Sequence, residues 1–246
     1  MTTKDRTTIG FDRRIDIEWL DAAAGRSAAG YSRAEVREFL WDFLDGVVGG
    51  DTVHSARGKT LTVLMRIWVT VPAAAAPLRT IAVKLVRSAS SEERLAIHWA
   101  MSIASYPFFG EVAGQIGKLL TLNGEANLSQ IVRRMTERWG DRSTLPRAAQ
   151  RVLRSMVQWK ILREGKAKGI FLPPARRVAL SGSIAELVVQ AVLVSHGGGM
   201  GLAKATSNAA LFPFEVHLNA AALRKNRQIR VFREGDQSEF IELTAR

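Results

Sequence analysis

Cysteine is absent from this chain of 246 residues, which excludes disulfide scaffolds, thiolate zinc sites and cysteine nucleophiles. Histidine is scarce. His54, His98, His196 and His217 are scattered, and none has a partner at metal-ligand spacing. Long apolar runs are missing as well: the two longest, 60–76 and 184–194, are interrupted by Arg66 and Glu186. Neither supplies the roughly 20 apolar residues that a membrane-spanning helix needs. The first six residues lead into no apolar stretch, so no secretory signal is expected and the expected compartment is the cytosol.

The motifs of common enzyme classes are also lacking. There is no Walker A sequence, no Gly-x-Gly-x-x-Gly and no Gly-x-Ser-x-Gly. His196-Gly-Gly-Gly199 matches the oxyanion loop of esterases, but without a nucleophile elbow it reads as a flexible loop. Glu234, Asp236, Glu239 and Glu242 resemble the carboxylates of a metal-dependent nuclease, yet no lysine completes the set. The expectation is a non-enzymatic protein without metal or cofactor.

What the chain does have is an apolar fraction of 47%, enough for a sizeable core, and a net charge of +12. A positive excess of this size points to an anionic partner. Its distribution is uneven. Residues 129–177 hold 13 basic and 3 acidic groups, a local balance of +10, whereas the segments before and after are each at +1.

Apolar periodicity predicts a mainly α protein. Helices are expected over 15–29, 32–47, 55–69, 78–86, 90–104 and 108–120. Two of them open with a capping box, Ser32-Arg-Ala-Glu35 and Ser90-Ser-Glu-Glu93. The alanines between Pro72 and Pro77 read as a turn. After Pro173-Pro174 the pattern changes to an apolar helix over 184–194 and two short strands, 227–232 and 239–243, around the turn Glu234-Gly-Asp-Gln. Three units are expected: a helical domain over 1–89, a central domain over 90–174, and a small α+β region with a β-hairpin over 175–246.

The basic segment carries the functional signal. Asn127 caps a helix whose Leu128, Ile131, Val132, Met135 and Trp139 share one face, leaving Arg133, Arg134 and Arg138 elsewhere. A second helix is expected to begin at Ser143-Thr144-Leu145-Pro146, with a capping hydroxyl and a proline in its first turn. Its faces separate cleanly: Ala149, Val152, Leu153, Met156 and Val157 on one side, Arg147, Gln150, Arg151, Arg154 and Gln158 on the other. Gly-bounded Lys166 and Lys168 then lie in a basic turn between β-compatible stretches.

In this order the pieces over 108–172 resemble a winged helix-turn-helix, whose third helix enters the major groove. That resemblance implies double-stranded DNA as partner. Ser143, Thr144, Arg147, Gln150 and Arg151 would reach into the groove, and Arg154, Lys166 and Lys168 would contact phosphate. Arg133, Arg134, Arg138 and Arg142 would extend the footprint. Ser55-Ala-Arg-Gly-Lys59 opens another helix, and Arg57, Lys59 and Thr60 are candidates for a second stretch of backbone; the competing reading is an amphipathic core helix with an exposed basic start.

The helical N-terminal half, the Tyr106-Pro-Phe-Phe109 element and the segment ending in Met156-Val-Gln-Trp-Lys-Ile-Leu162 are together similar to the BrxA family of BREX bacteriophage-exclusion systems over roughly residues 30–172. The resemblance implies a double-stranded DNA-binding component with a non-catalytic role beside other defence proteins, and it adds weight to Arg57 and Lys59. Residues 175–246 match no part of that family. Two rivals are an adaptor whose winged helix docks an acidic protein and a homodimeric transcriptional regulator. For the latter, the helix over 184–194 is the available dimerisation element.

Overall fold

The computed structural model describes residues 8–234 and 238–244. Five helices form the N-terminal half: α1 (Ile17–Ala28), α2 (Arg33–Phe43), α3 (Ala56–Trp68), α4 (Ala76–Leu85) and α5 (Ser91–Ser105). Next come α6 (Pro107–Asn123), β1 (Ala126–Asn127), α7 (Leu128–Trp139), α8 (Leu145–Gln158), β2 (Arg163–Glu164) and β3 (Ile170–Leu172). The remainder holds β4 (Val178–Leu180), α9 (Gly182–His196), β5 (Met200–Gly201), α10 (Leu202–Thr206), β6 (Phe214–Val216), α11 (Ala220–Leu223), β7 (Ile229–Glu234) and β8 (Ser238–Leu243). The protein is mainly helical. Among the described residues no single helix is long and apolar enough to cross a membrane.

Local signals explain most helix starts. Ser32 and Ser90 each accept from the backbone N–H three residues on, and the glutamate there accepts from the serine's own N–H. Each box thus satisfies two N–H groups that the first helical turn leaves without partners. The alanine run forms a 3-10 turn, Ala73–Ala75, that leads directly into α4. At the C-terminal end β7 and β8 pair antiparallel as a hairpin; the turn expected between them falls at 235–237, outside the described residues.

The core is organised around α5 and α9. Nearly every residue of α9 from Ile184 to Val194 is buried, and the helix lies along α5. An all-round apolar helix belongs inside a protein. The dimerisation role expected for this segment is therefore corrected: its apolar surface is consumed by α5, α4, α10 and β8. Trp99 on α5 is fully buried, donates its indole N–H to the Ala210 carbonyl at 2.9 Å, and meets Phe109, Trp159, Phe212 and Phe214 edge-on. The same core cluster continues across residue 89, because α5 packs on α3 and α4 as well as on α6 and α9.

Two backbone details have consequences. Gly117 on α6 faces the 3-10 turn Ala209–Leu211, and a Cβ there would lie 1.9 Å from the Ala209 carbonyl oxygen. Only glycine permits this approach. At the end of α8, Lys160 has φ +60°, while the N–H groups of Lys160 and Ile161 donate to the carbonyls of Val157 and Met156. This is the hydrogen-bond pattern of a Schellman motif with lysine where glycine is usual. Lys160→Gly is expected to stabilise the fold by about 0.5–1 kcal/mol by removing the left-handed Cβ penalty, seen as a higher Tm. An unchanged or lower Tm would refute the strain.

His98 ties three helices together. Fully buried on α5, it accepts from the Trp68 indole N–H of α3 at Nδ1 (3.2 Å) and meets the Asp21 carboxylate of α1 at Nε2 (3.1 Å). An indole N–H only donates, so Nδ1 is the acceptor and the neutral ring carries its proton on Nε2. Burial lowers the imidazole pKa against the opposing pull of Asp21. The unfolded chain therefore takes up this proton first as pH falls. The stabilising contribution is full above the ordinary histidine pKa of about 6.5 and is lost as pH drops toward the depressed folded value. Thermal melts from pH 8 to 5 should show Tm falling below that point, and His98→Gln, which cannot charge, should flatten this part of the curve.

Candidate nucleic-acid interface

The basic segment is built on α6, α7, α8 and a small antiparallel sheet of order β1-β3-β2. β3 is central, with Ala126 opposite Phe171 and Arg163 opposite Leu172. Strand β1, only two residues long, was not visible in the sequence pattern. Asn127 caps α7 as expected, accepting from the N–H of Ser129 at 2.8 Å. The cap of α8 differs from expectation. Thr144 occupies the N-cap position in an αR conformation and makes no side-chain cap bond, so the start of α8 rests on Pro146 and on the Leu145 N–H donating to Arg142.

The inner face of α8 is formed by Leu145, Ala148, Ala149, Val152, Leu153, Ser155 and Met156, all buried. Its outer side is split. Arg147 and Gln150 are exposed, and neither has a hydrogen bond or ion pair among the described residues. Ser143 and Thr144 are exposed beside them. Lys166 and Lys168, at the tip between β2 and β3, are likewise exposed and unpaired among the described residues. Arg154 lies on the stripe of Arg147 and Gln150 and forms an ion pair with Glu164 on β2. The hairpin therefore rises beside that stripe.

The far end of the outer side is covered by a segment that sequence reasoning did not place there. Residues 8–16 run as a strap across α8. The Ile15 N–H donates to Ser155 Oγ, the Ile17 N–H to Gln158 Oε1, and the Trp159 indole N–H to the Ile15 carbonyl, each at 2.8 Å. Gln158 here acts as the cap of α1, since the carboxylate of Asp16 is engaged by Arg14. Arg151 donates to the Asp12 carbonyl at 3.1 Å.

The strap also brings charge. Burial, then the positive charges of Arg13 and Arg147, lower the Arg151 pKa, with Asp12 opposing. Arginine stays protonated nonetheless. Arg13 and Arg147 thus act on Arg151 as like charges; Arg13 Nη1 donates to the Asp12 carbonyl at 3.0 Å, and Arg13 Nε is buried with no hydrogen-bond partner among the described residues. The sequence signal for Arg13 was its place between the apolar Phe11 and Ile15, but the contact spans about 140 positions.

Several expected contacts are corrected. Arg57 is 6% exposed, stacks over Trp41 at 4.2 Å, and donates to the Trp41 carbonyl and to Asp45. Thr60 is also buried. Neither reaches a phosphate, which leaves only exposed Lys59 of that trio at the surface. Arg138 turns toward α6 and pairs with Glu111 at 3.2 Å, and half-buried Arg134 points to Gln115. Arg133 and Arg138 are both exposed, and Arg133 lies 4.0 Å from Glu137. Arg142 is exposed and has a partner within the chain. Gln158 and Arg151 belong to the strap contact, and Arg154 to Glu164.

Among the described residues no group of three or more histidine, aspartate or glutamate side chains is placed to hold a metal ion. Glu239 and Glu242 form ion pairs with Arg224 and Arg230, and Asp236 lies outside the described residues. No family model, curated protein or solved structure matches the chain.

Proposed function

We propose that this protein binds double-stranded DNA without catalysing its chemistry, using the α6–β3 segment as a winged helix-turn-helix. The observation that carries this reading is the set of exposed groups, unpaired among the described residues, around the junction of α8 and the hairpin: Arg147, Gln150, Lys166 and Lys168. The order of helix, short strand, two helices and hairpin supports it.

In this reading the first half of α8 enters the major groove, where Arg147 pairs bidentately with guanine and Gln150 with adenine. Ser143 and Thr144 bond phosphate at the helix start, and the hairpin lysines rest on the adjacent backbone. The second half of α8 stays outside the groove because its polar side chains are engaged within the chain, Arg151 and Gln158 by the strap and Arg154 by Glu164. The resemblance to the BrxA family would set this activity in a phage-exclusion system beside other defence proteins.

The test is fluorescence anisotropy with a random 30-base-pair duplex at several salt concentrations. The two cationic phosphate contacts, Lys166 and Lys168, contribute about −1.8 to the log-log slope of affinity against salt, at about −0.9 per contact, while the uncharged Ser143 and Thr144 contribute nothing to it. If no binding occurs even at low salt, an acidic protein partner replaces DNA. A footprint confined to one palindrome, bound by a dimer, would identify a regulator instead.

A further inference from the structure

We infer that the cavity between α6, the end of α7, α9 and α10 binds a small organic phosphate. The cavity holds about 480 Å³ and does not involve α8 or the hairpin. Its size falls in the range of small-molecule sites. Three cations from three separate elements converge on it: Lys118 of α6, Arg138 of α7 and Lys204 of α10. Glu111 supplies the one carboxylate of the lining, and it is already engaged by the Gln115 side-chain amide at 2.8 Å and by Arg138 at 3.2 Å. Lys118 and Lys204 have no hydrogen bond or ion pair among the described residues.

Cations gathered in one concavity repel each other, and an anion with two or more charges relieves that repulsion. A phosphoryl group suits this arrangement better than a carboxylate, because its three oxygens accept from donors arriving along separate directions. Further donors line the walls: the Ser195 hydroxyl and the Asn208 amide, whose carbonyl oxygen already accepts from the Ala210 N–H. Ile103 and Val192 provide an apolar floor for an uncharged body attached to the phosphate.

Two of the four α6 residues that line the cavity are glycines. Gly110 and Gly114 lie one helical turn apart and both line the cavity. Gly110 is held close to Ile103 and Ser195, but a Cβ at Gly114 would meet nothing within 4 Å. Packing does not require glycine there, and glycine inside a helix is costly. Its effect is to leave the space open.

Calorimetric titration of the full chain with inorganic pyrophosphate and with AMP tests the site. Both probes should bind one per chain and compete with each other. Lys118→Gln with Lys204→Gln should weaken both by about tenfold or more, a loss of roughly 1.4 kcal/mol. Because both lysines are exposed, an unchanged melting temperature will show that the variant folds. Gly114→Leu should exclude AMP, whose body needs the cavity, while raising helix stability. Absence of saturable binding with either probe overturns the proposal, as does equal binding by the double lysine variant.

Discussion

Arg147→Ala is expected to weaken binding to a preferred duplex by about 1–3 kcal/mol, the range for losing one bidentate base contact. The loss should depend on DNA sequence, because Arg147 sits in the first turn of α8, where side chains reach base edges. Lys166→Ala with Lys168→Ala should act differently, weakening all duplexes alike and reducing the salt slope by about 1.8, the share of two phosphate contacts. Among the described residues none of these exposed side chains has a partner to lose, so Tm should stay nearly constant. Arg57→Ala is the matching control. It removes a buried guanidinium that stacks on Trp41 and pairs with Asp45, so Tm should fall while the salt slope is unchanged. If Arg57→Ala lowered the slope and the hairpin variant did not, the interface would have been assigned to the wrong surface.

The parts of the fold that were legible in the sequence are those governed by neighbours along the chain. The capping boxes at Ser32 and Ser90 need only residues three apart, and both formed. The hairpin at Lys166 and Lys168 is announced by its glycines and β-compatible flanks, and Arg163 and Glu164 pair with Leu172 and Phe171. What was not legible depends on partners far away in sequence. Arg57 has the same local pattern as a phosphate-binding arginine, and its fate was decided by Trp41 and Asp45 of another helix and loop. The apolar residues of α9 declared that the helix is covered, but not that α5 does the covering.

The candidate site shows the same division at finer scale. Helical spacing placed Arg147, Gln150, Arg151, Arg154 and Gln158 on one side of α8, and they share that side. Periodicity says nothing about what else approaches it. Glu164 and the strap divide this stripe: Arg147 and Gln150 stay open, whereas Arg154 is paired with Glu164, and Arg151 and Gln158 are engaged by the strap. Within the segment Arg133 and Arg154 lie beside Glu137 and Glu164, which the +10 balance already counts, and Arg138 is paired with Glu111 from outside it. Arg147, Lys166 and Lys168 are exposed cations with no carboxylate beside them among the described residues.

Phe11→Ala is expected to destabilise the protein by about 3–5 kcal/mol, the cost of emptying a fully buried phenylalanine site. For a chain of this size that lowers Tm by roughly 10 °C. Phe11 is the anchor of the strap: its ring meets Tyr106 edge-on at 5.5 Å and Phe109 at 5.1 Å, where α5 passes into α6. With the anchor gone, residues 8–16 lose their grip on α8, and the Asp12 carbonyl withdraws from Arg151. Arg151→Ala should therefore cost less stability in the Phe11→Ala background than in the wild type, because both substitutions act through the same strap contact. A double-mutant cycle in urea measures this coupling. Additive effects would mean that Arg151 is held by α8 alone, and the strap would then have no part in keeping the second half of that helix out of a DNA groove.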